Sequence, residues 1–328
     1  MQENNSLKPM LNIDELINNL KDKNIKFNKM TEEEVNLYLK TNNNYYNVIS
    51  YKNNFAKYPS PAGKYEGMYI DLDFAYLKDM SDIDYKVRLV LFKMILNIEH
   101  SLKLKILNII ENINEEDGYN IVNLFLEDDF YNEKFPKKVH NSILKKVGNV
   151  YHQKIFSKYD IDNDKKLENI PVWELLEIIT FGELVNFYDF LTKYYNLKKE
   201  NKDVYIYRDI VKLRNAVFHN MNILTELDIK DNNYQIPYSI IGYLNETKIT
   251  KKIRNKKLRN SRIKQITCTL YMFNIIVLNK EVVEDVKKDI NKLFFKGIIK
   301  NKEYYNNNEL LKSVYDYFKN IIEKYYNI

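Results

Sequence analysis

Hydrophobic positions along the chain recur at intervals of three and four residues. Val87, Val90, Leu91, Met94, Ile95, Ile98 and Leu102 form the longest such series. Their spacing puts them on one face of a helix running from about Asp82 to Ile113. Arg88 and Glu99 stand three turns apart on a second face of that helix. Two short helices are predicted within residues 11–41. The second is opened by Thr31-Glu32-Glu33-Glu34, a capping-box pattern with acids in the first turn. A short helix is expected near 71–80, others near 116–128 and 136–158, the latter started by Phe135-Pro136. Pro171 starts a helix that carries the single tryptophan, Trp173, and continues to about Tyr195. Gly182 inside it implies a kink or the close approach of another backbone. A helix from about Val204 to Asn222 follows, then three near 258–279, 281–296 and 308–326. Residues 42–58 are polar and tyrosine-rich, Pro59-Ser60-Pro61-Ala62-Gly63 is the clearest loop, and 159–170 reads as a charged linker.

The expected fold class is therefore all-α. Asp228 to Pro237 is the best boundary, which divides the chain into an N-terminal helical region (1–81), a helical core (82–228) and a C-terminal helical, basic region (229–328). Composition agrees: 7 glycines and 6 prolines in 328 residues are about a third of ordinary usage, so the residues that punctuate all-β folds are scarce. The single cysteine, Cys268, excludes an internal disulfide and suits a reducing cytosol, and its apolar neighbours make it a small core residue. The first residues, MQENNSLKPM, carry no export signal, so a cytoplasmic location is expected. The longest apolar stretch, Ile266 to Leu278, contains threonine and asparagine and falls short of the roughly 20 residues that a membrane span needs. It reads as a buried helix.

Charge alters the picture more than composition does. The net charge is only +6, yet Thr247 to Lys264 holds nine basic residues and no acid. Lys248, Lys251, Lys252, Arg254, Lys256, Lys257, Arg259, Arg262 and Lys264 look too charged for a core. They form either a solvated face or a surface that tracks the phosphates of folded RNA, with binding that falls steeply as salt rises. Tyr243 and Tyr271 flank the run and either stack on unpaired bases or pack. The closing Tyr315, Tyr317, Phe318, Tyr325 and Tyr326 have helical spacing and read as packing.

Several chemistries lack their residues. There is no GxxxxGK[ST] and no GxGxxG, and His100, His140, His152 and His219 do not fall into a metal-ligand spacing. No metal and no cofactor is expected. Paired carboxylates such as Glu115-Glu116-Asp117 and Glu127-Asp128-Asp129 read as solvated turns. What remains is Leu213-Arg214-Asn215-Ala216-Val217-Phe218-His219-Asn220. RNA is cut without metal when one group moves the 2′-OH and leaving-group protons and a cation holds the phosphate. Histidine suits the first task and arginine the second. On a helix Asn215 and His219 share a face, but Arg214 and His219 lie about 140° apart around the axis. A second copy of the helix, facing the first across a dimer axis, would supply converging groups, so a composite site is expected. The bland alternative pairs Arg214 with Asp209 or Glu226 and satisfies His219 locally.

Three blocks resemble the Abi-type abortive infection proteins, phage-defence factors within the HEPN superfamily of helical ribonucleases. The first is Asn43-Asn44-Tyr45-Tyr46-Asn47-Val48-Ile49-Ser50-Tyr51 with Phe55. The second is Asp84-Tyr85-Lys86-Val87-Arg88 with Ile98-Glu99-His100-Ser101-Leu102. The third is Pro171-Val172-Trp173 with Thr180-Phe181-Gly182-Glu183-Leu184, followed by Leu213-Arg214-Asn215 and His219. They cover roughly residues 12–222 in the family's order. The resemblance implies an HEPN-like helical bundle with helical extensions and a metal-independent endoribonuclease that leaves a 2′,3′-cyclic phosphate. In it Arg214, Asn215 and His219 are the catalytic residues. It also implies a homodimer, a toxin-like output that arrests the infected cell, and a small noncoding RNA partner in some relatives. Arg88 and Glu99 are candidate accessory residues, Glu99 being otherwise an i,i+4 salt-bridge partner of Lys103. Val87 stands where the family usually has leucine, and Lys103 where it often has a second arginine, which puts phosphate contact by that face in doubt. A non-catalytic RNA-binding module with a vestigial motif is the alternative reading.

Overall fold

Side-chain caps set where the helices begin. In the computed structural model, which describes residues 10–127, 170–232 and 234–326 together with positions 142, 145, 146 and 158, Asn12 and Thr31 each build a capping box. Asn12 accepts the Glu15 amide and Thr31 the Glu34 amide, and each glutamate reaches back to its cap. These boxes open α1 (Ile13–Asp22) and α2 (Glu32–Thr41), as the sequence predicts. The polar tyrosine-rich segment is not irregular: Asn44 caps a short α3 (Tyr45–Ile49), which tightens into a 3-10 turn over Ser50–Asn54.

The helix expected near 71–80 and the one expected from Asp82 are a single element, α4 (Phe74–Glu111), 38 residues long. No glycine or proline interrupts it, and the apolar spacing of Leu77, Met80, Ile83 and Val87 carries across the supposed break. Asp73 caps it by accepting the Ala75 amide at 2.9 Å. Next, α5 (Asn120–Glu127) starts later than predicted. The Asp117 carboxylate accepts the amides of Tyr119 and Asn120, so this acid orders the chain ahead of α5 rather than only solvating a turn. The helix expected near 136–158 and the linker 159–170 lie outside the described residues apart from the single positions named above and Ile170, and so does the Asp128-Asp129 end of the second acidic pair.

The helix predicted from Pro171 to Tyr195 is two helices, α6 (Val172–Ile178) and α7 (Phe181–Tyr194). Gly182 does not cause the break. Thr180 takes extended backbone and forms a third capping box with Glu183, which starts α7 afresh. A one-turn α8 (Lys198–Asn201) leads to α9 (Val204–Phe218), which ends earlier than expected. Beyond it come α10 (Tyr238–Asn245) and α11 (Lys251–Leu258), neither anticipated, then α12 (Ser261–Ile276) and α13 (Lys280–Lys292). A π-helical turn (Leu293–Gly297) and a 3-10 segment (Ile298–Tyr305) connect α13 to α14 (Glu309–Tyr325). Among the described residues there is no strand, only two isolated bridges, Lys26 with Asp73 and Lys57 with Tyr69.

Two apolar clusters result. One gathers Ile17, Leu20, Val35, Val48, Tyr51 and the first turns of α4. The other runs from Leu91 through α9 and α12 to Tyr326. Cys268 is fully buried in α12, and the closing aromatics Tyr317, Phe318 and Tyr326 are core residues, as predicted. No described helix is long and apolar enough to cross a membrane. Replacing Thr180 by alanine removes the cap of α7 and is expected to cost about 1 kcal/mol of stability, read from the midpoint of urea unfolding.

Candidate active site: a clamped helix end

Helix α9 stops because Asn220 takes the left-handed conformation, with φ at 55°. Asparagine tolerates that region better than most residues. The Met221 amide donates back to the Ala216 carbonyl at 2.9 Å and the Asn220 amide to Val217 at 3.2 Å, which is the Schellman arrangement. His219 is therefore the C-cap residue, not part of the helix body. Its side chain is exposed and makes no hydrogen bond or ion pair among the described residues.

The turn is gripped from three parts of the chain. Asp84 of α4, with no exposed surface, accepts the Ile223 amide at 2.8 Å and the Leu224 amide at 2.7 Å. Its other oxygen pairs with Arg88 Nε at 2.7 Å, and Arg88 Nη1 donates to the Asn220 side-chain oxygen. From the N-terminal region, Asn54 donates to the Leu224 carbonyl at 2.6 Å and accepts the Leu227 amide, while Asn222 donates to Asn47 O and Ser50 Oγ, both at 2.7 Å. From the C-terminal side, Asn260 donates to the carbonyls of Glu226 and Ile229. Arg88 is thus buried, its Nε spent on Asp84 and its Nη1 on Asn220.

Arg214 is half-buried, and its guanidinium lies 4.2 Å from the centre of the Phe218 ring. It pairs with neither Asp209 nor Glu226. Asp209 takes Lys212 and Lys264, and Glu226 takes Asn53. Its nearest hydrogen-bonding neighbour is the exposed Asn215, at 3.5 Å, and its Nε has no partner among the described residues. Glu99 faces this arginine across the α4–α9 contact. Burial raises its carboxyl above the ordinary value, and the Arg214 charge pulls it back down. The expected Glu99–Lys103 bridge does not form, because Lys103 reaches Glu177 at 3.1 Å instead.

Sequence reasoning missed a second stripe on α4. Tyr85, Leu89, Phe92 and Leu96 fall within about 60° of the helix circumference and away from the core series. They are 56%, 52%, 37% and 42% exposed. The Phe92 ring packs 4.7 Å from that of Phe218, which lies under Arg214 and next to His219 in the chain, so the stripe adjoins the candidate site. Its spacing of four, three and four residues was the available signal.

The basic run divides. Lys248, Lys251, Lys252, Lys256 and Arg259 are exposed, Arg259 lying over the Tyr234 ring. Arg254 and Lys257 are buried, which corrects the expectation that the run is too charged for a core. Arg254 donates to the Asn245 side chain and Lys257 to Ser313 Oγ at 2.5 Å, and burial pushes the Lys257 ammonium down to about 8. Lys264 pairs with Asp209 at 3.1 Å and Arg262 donates to Gln265 at 2.8 Å. Tyr243 is buried between Tyr325 and Tyr271, so it packs.

These features define an all-helical protein that presents an arginine, an asparagine and a histidine at a rigidly held helix end. Residues 38–225 match the Abi-like protein family, and the chain belongs to it, which places it among the abortive-infection proteins of phage defence. No curated protein and no solved structure matches the chain. The matched span contains Asn47, Asn54, Asp84, Arg88 and Asn222, most of the grip on the turn. Replacing Asp84 by alanine strands a buried arginine and two amides. It is expected to cost about 3–5 kcal/mol, far more than Thr180→Ala in the same urea titration.

Proposed function

We propose that the protein is a metal-independent endoribonuclease of the HEPN type, acting as a homodimer in abortive infection. The observation that carries this reading is the state of His219: an exposed imidazole on a backbone that at least six side chains hold in place. A histidine needed only for packing or capping would spend its nitrogens within the chain. Among the described residues nothing bonds to either of its nitrogens, which leaves them to a ligand on a turn held firmly enough to aim them. Arg214 supports the reading, since among the described residues it forms no ion pair, and it rests on an aromatic ring with the Glu99 carboxyl near enough to feel its charge.

On a regular helix, arginine and histidine five residues apart point about 140° away from each other, so the reading puts the reaction centre between two copies. The stripe Tyr85–Leu89–Phe92–Leu96 with Phe218 is the surface that docks, because it is apolar, about 16 Å long and continuous with the site. In the joined site His219 takes the proton of the 2′-OH as its oxygen attacks the phosphorus. The bond from phosphorus to the 5′ oxygen breaks, and that oxygen receives a proton from the partner's His219. The products are a 2′,3′-cyclic phosphate and a 5′-OH. Arg214 holds the charge that gathers on the phosphate oxygens, and Asn215, one residue away and exposed, orients the strand. Lys248, Lys251, Lys252, Lys256 and Arg259 hold the backbone of a target or small noncoding RNA.

Cleavage of a labelled RNA in EDTA tests the chemistry. The unaltered protein is expected to cut, and His219→Ala to lose at least about a hundredfold in rate with RNA binding unchanged; full activity in His219→Ala overturns the assignment. The assembly is tested separately. The double variant Leu89→Glu with Phe92→Glu is expected to sediment as a helical monomer that binds RNA and does not cut it. A monomeric variant that cuts at the original rate removes the composite site.

A further inference from the structure

Behind the clamped turn lies a cavity that the proposed reaction does not use. Its volume is about 260 Å³, and its walls come from α4, α12 and the chain from α13 to α14, among them Val87, Met94, Leu270, Ile290, Phe294 and Phe318. A dry apolar cavity of roughly 150 Å³ already admits benzene. The cause of the space is visible in the backbone. Lys93 of α4 holds α13 in register through Asp285 and Asp289. A few residues on, the α-helix gives way to the π turn Leu293–Gly297 and then to 3-10 geometry, with a non-helical φ of −118° at Asn301. Ridges of changed pitch no longer fill the grooves of α4, and the apolar side chains on both sides face a void.

Three lining residues are exposed, Ile299, Lys302 and Lys312, so they mark the mouth. Lys312 is occupied by Glu309 at 2.6 Å and by the Asn306 carbonyl at 3.2 Å. Lys302 has no hydrogen-bond or ion-pair partner among the described residues. Among the described residues no acidic side chain lines the cavity. An apolar interior excludes a ligand with charge along its length, and a cation at the mouth selects one with a single anionic end.

We infer that this cavity binds a single-chain fatty carboxylate, its alkyl tail among the core side chains and its head beside Lys302. The site is independent of the nuclease reading, although Leu224 and Leu227 of the clamped turn form part of its wall.

The full chain with dodecanoate as the probe provides the test, read by calorimetry and thermal unfolding. Binding is expected to saturate and to raise the melting temperature by a few degrees. Lys302→Glu, at an exposed position, is expected to weaken dodecanoate about tenfold or more while leaving the neutral dodecanol unchanged. Leu270→Trp fills the space and is expected to abolish binding of both. No saturable binding to the unaltered chain, or equal dodecanoate affinity in Lys302→Glu, overturns the proposal. The same holds for full affinity in a folded Leu270→Trp. Since Lys302→Glu leaves the core intact, the test stands even where Leu270→Trp does not fold.

Discussion

Everything around the candidate site depends on one buried carboxylate. Asp84 lies out of solvent, where an ionised group is costly unless each of its lone pairs is met. It is met by Arg88 and by two consecutive backbone amides from a turn some 140 residues later in the chain. The arrangement stabilises only when complete: remove one partner and the rest become a burial penalty. The turn after α9 consequently has one conformation rather than several, and the side chains it carries inherit that definition. Arg88 extends the same logic to Asn220, the left-handed residue that ends the helix, so the point where α9 stops is tied to the point where α4 is charged.

Helix α4 organises the rest by dividing its circumference. One sector, through Leu91, Met94 and Ile98, is core. A flanking sector, with Asp84, Arg88 and Glu99, faces α9 and its terminal turn. The opposite flank, through Lys93, ties down α13. The remaining sector is apolar and bare. The helix carries more apolar surface than its own fold covers, which is the ground for the proposed second copy, and the bare sector is the one that adjoins Phe218.

Most helices were legible because caps and periodicity are local properties. Thr31-Glu32-Glu33-Glu34, the long apolar series of α4 and the buried Cys268 could be read without knowing what they touch. The errors were also physical in origin. The side chain of Thr180, not Gly182, governs the break between α6 and α7. The 71–80 and 82–113 segments are one helix because no glycine or proline stands between them, and Ser81, a residue type that often caps, is buried inside the helix instead. Charge in Arg254 and Lys257 suggested surface, but their partners Asn245 and Ser313 are neutral and one lies far along the chain. The catalytic candidates Arg214, Asn215 and His219 were visible as a motif. Their support was not: Asp84 and Arg88 stood out in the sequence, yet their task is set by amides that no pattern links to them. Helix α9 ended at Phe218 rather than Asn222 for a readable reason, an asparagine at position 220.

The grip on the turn is made mostly of carboxamides, Asn54, Asn222 and Asn260, with a single ion pair sealed from water. Dissolved ions attenuate forces between exposed charges over about 10 Å at 0.1 M, and they have little purchase on such contacts. The exposed lysines of α11, Lys251, Lys252 and Lys256, stand in the opposite regime. Rising ionic strength would therefore loosen the proposed hold on a polyanion while leaving the helix end aimed as before, so the tools would stay set whether or not anything is in their grasp.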